Sequence, residues 1–395
     1  MAMPTATQIK KRLMANWIHF LSTNSAELSK ESLSGATPPA VFVGSYGYPK
    51  VRVGPMVPPI HGDTTVFDKP ELWIGKDIAE IVNYRKSLVM GVSRTDIHDK
   101  SSRYIGSLQE LALTRRSVES EALFENKPIP HFDELNLELD TNLAPFGPVA
   151  PLKSFRTASY PVDQRLERSY YDKDLSAVDG IVDLYRQGIE VSTISRIVSL
   201  GMLGLEKNRK LVPTKWSISA TDDVISSHLI KTIETFPRID SFSVHKFNHF
   251  GNYYCILLIP DELWSFEMQE AWYDKHGNVG IGTDFEDANG LDHYPTIAGA
   301  YFAGRLSVTE FLFSIRHKAA AMILREIHPE YVIPVGVWQI REGIRGALKE
   351  KAKLFDEFQD ALSFACSTLS ISKKEWLRNS KLYANMKNQS RITDF

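Results

Sequence analysis

Cysteine is nearly absent: the 395 residues hold only Cys255 and Cys366, both in apolar surroundings. That count excludes a disulfide framework and a cysteine-rich zinc site. Net charge is nearly absent as well, because 46 Lys and Arg face 48 Asp and Glu. A nucleic-acid partner would have to be met by local basic patches and not by the field of the whole molecule. No apolar run reaches membrane-spanning length, and Lys10-Lys11-Arg12 precedes neither a signal-type run nor a cleavage site. A soluble, cytoplasmic protein with no membrane partner is expected. Also missing are a Walker loop, a His-Glu-x-x-His helix, a nucleophile elbow and the protein-kinase signature. No repeat of solenoid period occurs.

What is present is ordinary globular material. Hydrophobic residues make up 43% and charged residues 24%, enough for a substantial core. The length suits one large domain or two to three of common size. Thr5 to Ser22 reads as an amphipathic helix, with Ile9, Leu13, Trp17 and Leu21 four apart. The run from Ala40 to Pro55 has two short β-rich segments around a Gly/Tyr/Pro turn and predicts a hairpin. Helical spacing is expected over Glu71 to Val89, Lys100 to Glu125 and Asp174 to Leu205, and proline-rich Lys127 to Pro151 reads as a connector.

Lys215 to Ala220 reads as a strand entering a helix that opens at Thr221. Ser241 to Ile259 predicts a buried hairpin and Phe266 to Tyr273 a further strand. The glycine- and acid-rich Lys275 to Gly290 is read as a loop and the best internal boundary. Ser307-Val308-Thr309-Glu310 has the form of a capping box, with apolar spacing to about Ile327. A long charged helix ending near Leu369 and a shorter one from Lys373 to Lys387 follow. Strands mixed with helices without regular βαβ spacing predict an α+β or mixed α/β fold, an irregular two-part body with a helical C-terminal region and a flexible tail.

Three groups of residues carry possible chemistry. In the hairpin, Gly44, Gly47 and Gly54 would let backbone amides approach a phosphate; Lys50 and Arg52 supply charge, and Tyr46 or Tyr48 a stacking face. A turn alone would also need Gly and Pro here. The stretch Val212 to Asp223 brings Lys215 and Trp216 ahead of adjacent carboxylates, Asp222 and Asp223, suited to metal binding or acid–base work. The alternative places both acids in a first helical turn capped by Thr221. Glu267, Asp284, Glu286, Asp287 and Asp292 form a second acidic set that could complete a two-metal site with Asp222 and Asp223, or form a solvated loop. His245 and His249 share one face of a strand with Phe247 between them, a packed face more often than a metal site. The basic points Arg115 with Arg116, Arg165 with Arg168, Lys207 to Lys210, and Arg341 with Arg345 are dispersed. The residues identify no metal and no cofactor.

The last seven residues, Gln389 to Phe395, read Q-x-x-h-x-x-F on a polar tail. Gln389, Ile392 and Phe395 fall on one side of a tight helical turn, a hydrophobic plug with a polar handle suited to another protein's groove. The pattern resembles the peptide by which replication and repair proteins bind the sliding clamp (PCNA).

Together with Pro38 to Pro55 and Val212 to Asp223, this tail resembles the archaeal Nre family of DNA repair proteins, essentially over the whole chain. The resemblance implies an N-terminal region over 1–275, a mainly helical C-terminal region over 276–386 and a clamp-binding tail over 387–395. It implies sliding-clamp and DNA partners, with no reaction attached to named residues. Some members carry an N-terminal zinc-finger-like segment; this chain has no cysteine there. The clamp peptide commonly has two adjacent aromatics, whereas here Asp394 precedes a lone Phe395. The expectation is a clamp-recruited repair factor whose body meets DNA or a nucleotide-like ligand through Gly44, Tyr46, Gly47, Lys50, Arg52, Lys215 and Trp216. The alternative is a metal-dependent enzyme acting on phosphodiester or nucleotide groups, with Asp222, Asp223 and Glu267 as its acids.

Overall fold

The computed structural model describes residues 30–99, 102–129, 147–273, 279–328, 331 and 335–390. The expected helix over Thr5 to Ser22 and most of the connector fall outside them, as do Ile392 and Phe395 of the tail. The chain divides into two compact units, one built from residues up to Ile225 and one from most of the chain beyond it. Each unit holds a six-stranded mixed sheet, so the fold is mixed α/β with a two-part body.

The first unit contains β1 (Ser32–Thr37), β2 (Val41–Val43), β3 (Lys50–Val57), β4 (Val89–Asp96), β5 (Val118–Phe124) and β6 (Val149–Thr157). Their order across the sheet is β1-β5-β6-β4-β3-β2, antiparallel except where β4 meets β6. In β5 every second residue is buried, the period of a strand with one covered face. The expected hairpin is present as β2 and β3. Helices α1 (Ile78–Lys86) and α2 (Arg103–Ala112) cover only parts of the segments expected to be helical, because Val89 and Val118 open strands instead. Helices α3 (Gln164–Tyr171), α4 (Ala177–Arg186) and α5 (Val191–Ser199) follow, the last two separated at Gly188 as the glycines suggested.

The longest helix, α6 (Thr214–Ile233), corrects the reading of Lys215 to Ala220 as a strand. Alternation in Trp-Ser-Ile-Ser imitated a β period. Pro213 starts the helix instead, its carbonyl accepting the amides of Trp216 and Ser217. The buried serines then donate back within the helix, Ser217 to Thr214 O and Ser219 to Lys215 O, so their hydroxyls need no external partner.

The second unit holds β7 (Phe242–His249), β8 (Asn252–Ile259), β9 (Phe266–Tyr273), β10 (Val279–Glu286), β11 (Ala320–Ile327) and β12 (Lys353–Phe355). Their order is β10-β9-β11-β8-β7-β12, with β11 parallel to β9 and antiparallel to β8. The residues read as a glycine-rich loop therefore include a strand, paired along its length with β9. The boundary at 275/276 falls between those two strands. Helices α7 (Gly299–Ile315), α8 (Trp338–Lys349), α9 (Phe358–Cys366), α10 (Lys373–Leu377) and α11 (Lys381–Ser390) complete the unit. Ser307 lies inside α7 and does not cap a helix: its hydroxyl donates to Ala303 O and Arg341 O. The long charged helix expected up to Leu369 is broken into α8, β12 and α9. Ala361, Leu362, Ala365 and Trp376 pack beneath β7, β8 and β11 in one core.

Candidate functional site

The hairpin and the start of α6 meet in the first unit. The amide of Val43, at the end of β2, donates to Thr214 Oγ1 at 2.9 Å. Ser199 at the end of α5 donates to Val212 O at 2.7 Å and lies 3.4 Å from the same threonine hydroxyl. Thr214 is thus held from two sides, which fixes the first turn of α6 against the hairpin. One turn position on, Trp216 faces Tyr48 with ring centroids 5.5 Å apart and planes tilted by 55°.

This pair is only partly covered: Tyr48 and Trp216 are each 44% exposed, and Tyr46 is 63% exposed. Exposed aromatic faces of this kind are able to stack on a flat ligand. Basic residues lie close by in the hairpin and along the chain. Strand period puts Val51 and Val53 in the core and leaves Lys50 and Arg52 on the outer face. The β3–β4 register sets Arg94 directly across from Arg52. Lys215 adjoins Trp216. Arg94 is the one contributor that sequence reading missed, because only the strand register reveals it.

The glycines serve the hairpin itself. Gly47 has φ +81°, which the turn requires, and its carbonyl accepts the Lys50 amide at 2.9 Å. A Cβ on Gly54 would strike Gly91 O at 1.5 Å, so β3 and β4 approach too closely for any side chain there. The Gly44 amide is given to Arg52 O at 2.7 Å. With the backbone committed to its own pairing, the surface offers a ligand aromatic faces and cationic side chains.

Of the acidic candidates in this unit, Asp222 does not join it. Asp222 and Asp223 sit in the middle of α6, well beyond its first turn, which removes the capping account given for them. Asp222 is fully buried and turned away from Trp216; Asp223 follows Trp216 about two turns along the same side. Glu267 belongs to the second unit, on β9, and is also fully buried. It accepts Gln269 Nε2 at 2.7 Å and the Leu382 amide at 2.9 Å, at the start of α11, and burial pushes its carboxyl up. Its task there is to hold the last helix on the sheet.

The second acidic set is not a solvated loop throughout. Asp284 accepts the amides of Thr296 and Ile297 at 2.9 and 2.8 Å, and Glu286 pairs with Arg305 at 2.7 Å inside the core. Asp287 and Asp292 are exposed. Among the described residues no group of three or more His, Cys, Asp or Glu is placed to hold a metal ion. His245 is buried and His249 largely so, and burial lowers both imidazoles below their ordinary value. Gln389 lies within α11 and not beyond the last helix as read, since Lys381 to Ser390 contains no helix breaker. No described helix is long and apolar enough to cross a membrane.

The chain matches the family description "Archaeal Nre, N-terminal" over residues 10–276 and "Archaeal Nre, C-terminal" over residues 286–395. It is 36% identical over 359 residues to the DNA repair protein NreB of Archaeoglobus fulgidus, covering 89% of each chain. Identity to the DNA repair protein NreA of the same organism is 35% over 347 residues, 86% of this chain and 85% of that one. To the DNA repair protein NreA of Haloferax volcanii it is 32% over 380 residues, 92% and 89% of the two chains. No solved structure matches.

Proposed function

The chain belongs to the archaeal Nre family, and from that premise we propose that it is a DNA repair factor brought to its substrate by the sliding clamp. The observation that supports the DNA half is the meeting of the exposed Tyr48 and Trp216, from distant parts of the chain; on this reading Tyr46, Lys50, Arg52, Arg94 and Lys215 join them on the binding face. Aromatic faces stack on unpaired bases irrespective of sequence, while the cations follow the phosphates. Such a surface takes single-stranded DNA, or a duplex with bases turned out. The names of the three relatives, all DNA repair proteins, agree with that use.

The clamp half rests on Gln389, Ile392 and Phe395. Ile392 and Phe395 fill the clamp's apolar groove while Gln389 hydrogen-bonds beside it. Glu267 gives this arrangement a mechanical root: it pins the Leu382 amide, and Leu382 itself is buried, so the helix that leads to the peptide starts from a fixed point. Tethering then raises the concentration of the body at clamp-loaded DNA without any new DNA contact. The enzyme reading gains little support, because Asp222 is enclosed in mid-helix and Glu267 serves a helix start.

Calorimetry with an archaeal sliding clamp tests the proposal. Deleting residues 389–395 should abolish binding, and Phe395→Ala should weaken it by about 2 kcal/mol, the loss typical of an aromatic hot spot. Unchanged affinity of the truncated chain would remove the clamp from the proposal.

A further inference from the structure

We infer that a second site in the first unit, a cavity at the N-terminal ends of α3 and α5, binds a phosphate group. The cavity measures about 160 Å³. That is close to the roughly 150 Å³ that admits a benzene-sized molecule, so a phosphate fits with room to spare.

Its wall is a network of charges in which, among the described residues, one cation lacks an ion-pair partner. Asp163 accepts Arg115 Nε at 2.9 Å and Arg165 Nη2 at 2.8 Å, and these contacts hold its carboxyl down at about 2. Glu190 pairs with Lys69 at 2.6 Å, and Asp68 pairs with Arg85. Each carboxylate of the wall is thereby matched. Arg196 is not. Among the described residues its Nη2 makes one long contact of 3.4 Å to Thr193 Oγ1, and its Nε is enclosed with no acceptor. Asp68, Glu71 and Glu190 attract it at longer range, but the first and last are paired with Arg85 and Lys69 and Glu71 is bonded to the amide and hydroxyl of Ser192.

A guanidinium whose Nε is enclosed without an acceptor is expensive, and in a native protein such a group calls for an explanation. A bound oxyanion supplies one. Arg196 offers the planar fork that phosphate oxygens match, and the Arg115–Arg165 pair and Lys69 face the same space. The hydroxyls of Thr65, Thr114 and Thr193 add neutral donors. The first turn of α5, nine residues long, adds its positive end. Donors on several walls suit the oxygens of a phosphate dianion better than the two of a carboxylate. Burial already presses the Arg196 guanidinium toward its neutral form, and an anion beside it would reverse that.

The same helix joins this cavity to the aromatic surface. Thr193 and Arg196 line the cavity, whereas Ser199, at the other end of α5, touches Thr214 beneath the Tyr48–Trp216 pair. Nine helical residues span about 13 Å. The phosphate could therefore be the terminal phosphate of a bound strand, or a free phosphate or nucleotide. The cavity itself depends on neither the clamp nor the aromatic surface.

Thermal unfolding of the full chain in inorganic phosphate, against chloride at matched ionic strength, tests the site. Phosphate should raise the Tm along a saturable curve, as a ligand specific for the folded state does. Arg196→Gln should weaken the apparent phosphate affinity at least tenfold. Arg115→Gln, at an exposed position, should weaken it severalfold and decides the matter should the first variant not fold. Competition by 5′- or 3′-phosphorylated oligonucleotides, but not by hydroxyl-ended ones, would identify a strand terminus as the source. Competition by mononucleotides alone would identify a free ligand. A Tm no higher in phosphate than in chloride overturns the inference, as does full retention of phosphate affinity in the variants.

Discussion

Replacing Trp216 with alanine probes the proposed DNA surface most directly. Trp216 is 44% exposed, with Tyr48 at 5.5 Å on its covered side, so the remaining face is free to take one base. Loss of a base–aromatic stack costs about 1–3 kcal/mol, or roughly 5- to 150-fold in Kd. The same change uncovers roughly 100 Å² of apolar surface and should lower stability by about 2–3 kcal/mol. Affinity must therefore be read at a temperature where circular dichroism shows the variant folded. Fluorescence anisotropy with a labelled oligothymidylate gives the Kd, and Tyr48→Ala should act in the same direction. Lys50→Ala and Lys215→Ala should instead reduce the slope of log K against log salt by about 0.7 each, the single-strand value per phosphate. Folded Trp216→Ala and Tyr48→Ala variants that bind within twofold of the parent chain would refute the stacking surface, whatever the salt slope shows.

Two further outcomes follow from buried groups. Glu267→Ala leaves the Leu382 amide buried without its acceptor and should cost about 1–3 kcal/mol in urea denaturation. Amide exchange should quicken most at the start of α11, and equal exchange there in both proteins would contradict the anchoring role. His245 and His249 are held below their ordinary value in the folded chain, so on acidification the unfolded chain protonates first. Their contribution is complete above about pH 6.5 and declines as the pH falls below it. Urea midpoints at pH 8 and 5.5 should differ less in a His245→Phe/His249→Phe variant than in the parent chain, and equal differences would refute the assignment.

The parts legible in the sequence were those whose signal is local. The β2–β3 and β7–β8 hairpins, β9 and the break between α4 and α5 follow from alternation, β-branched content and glycine positions. Helix α6 was misread because Trp-Ser-Ile-Ser alternates while the serine hydroxyls, bonded back along the helix, bear no local mark of it. Strand β10 was misread because glycines and acids signal a loop, whereas Asp284 and Glu286 find their partners only through the fold. Tyr46, Lys50, Arg52 and Trp216 could each be picked out by residue type. The contact of Tyr48 with Trp216 goes with a hydrogen bond between positions 171 apart, which no periodicity encodes. Arg196 gave the faintest sign, a single basic residue in the otherwise uncharged helix Val191–Ser199.

Strand β11 carries a consequence for how the family's two halves are inherited. The matched regions, 10–276 and 286–395, look separable along the chain. Yet β11, from the second, inserts between β8 and β9, from the first, with its central residues buried on both sides. Either half alone would present long apolar strand edges without partners, a template for aggregation. The halves must therefore be made together, and β8 and β9 must wait during synthesis for a strand translated some fifty residues later. Neither half can drift freely in evolution, because both edges of β11 are paired with strands of the other.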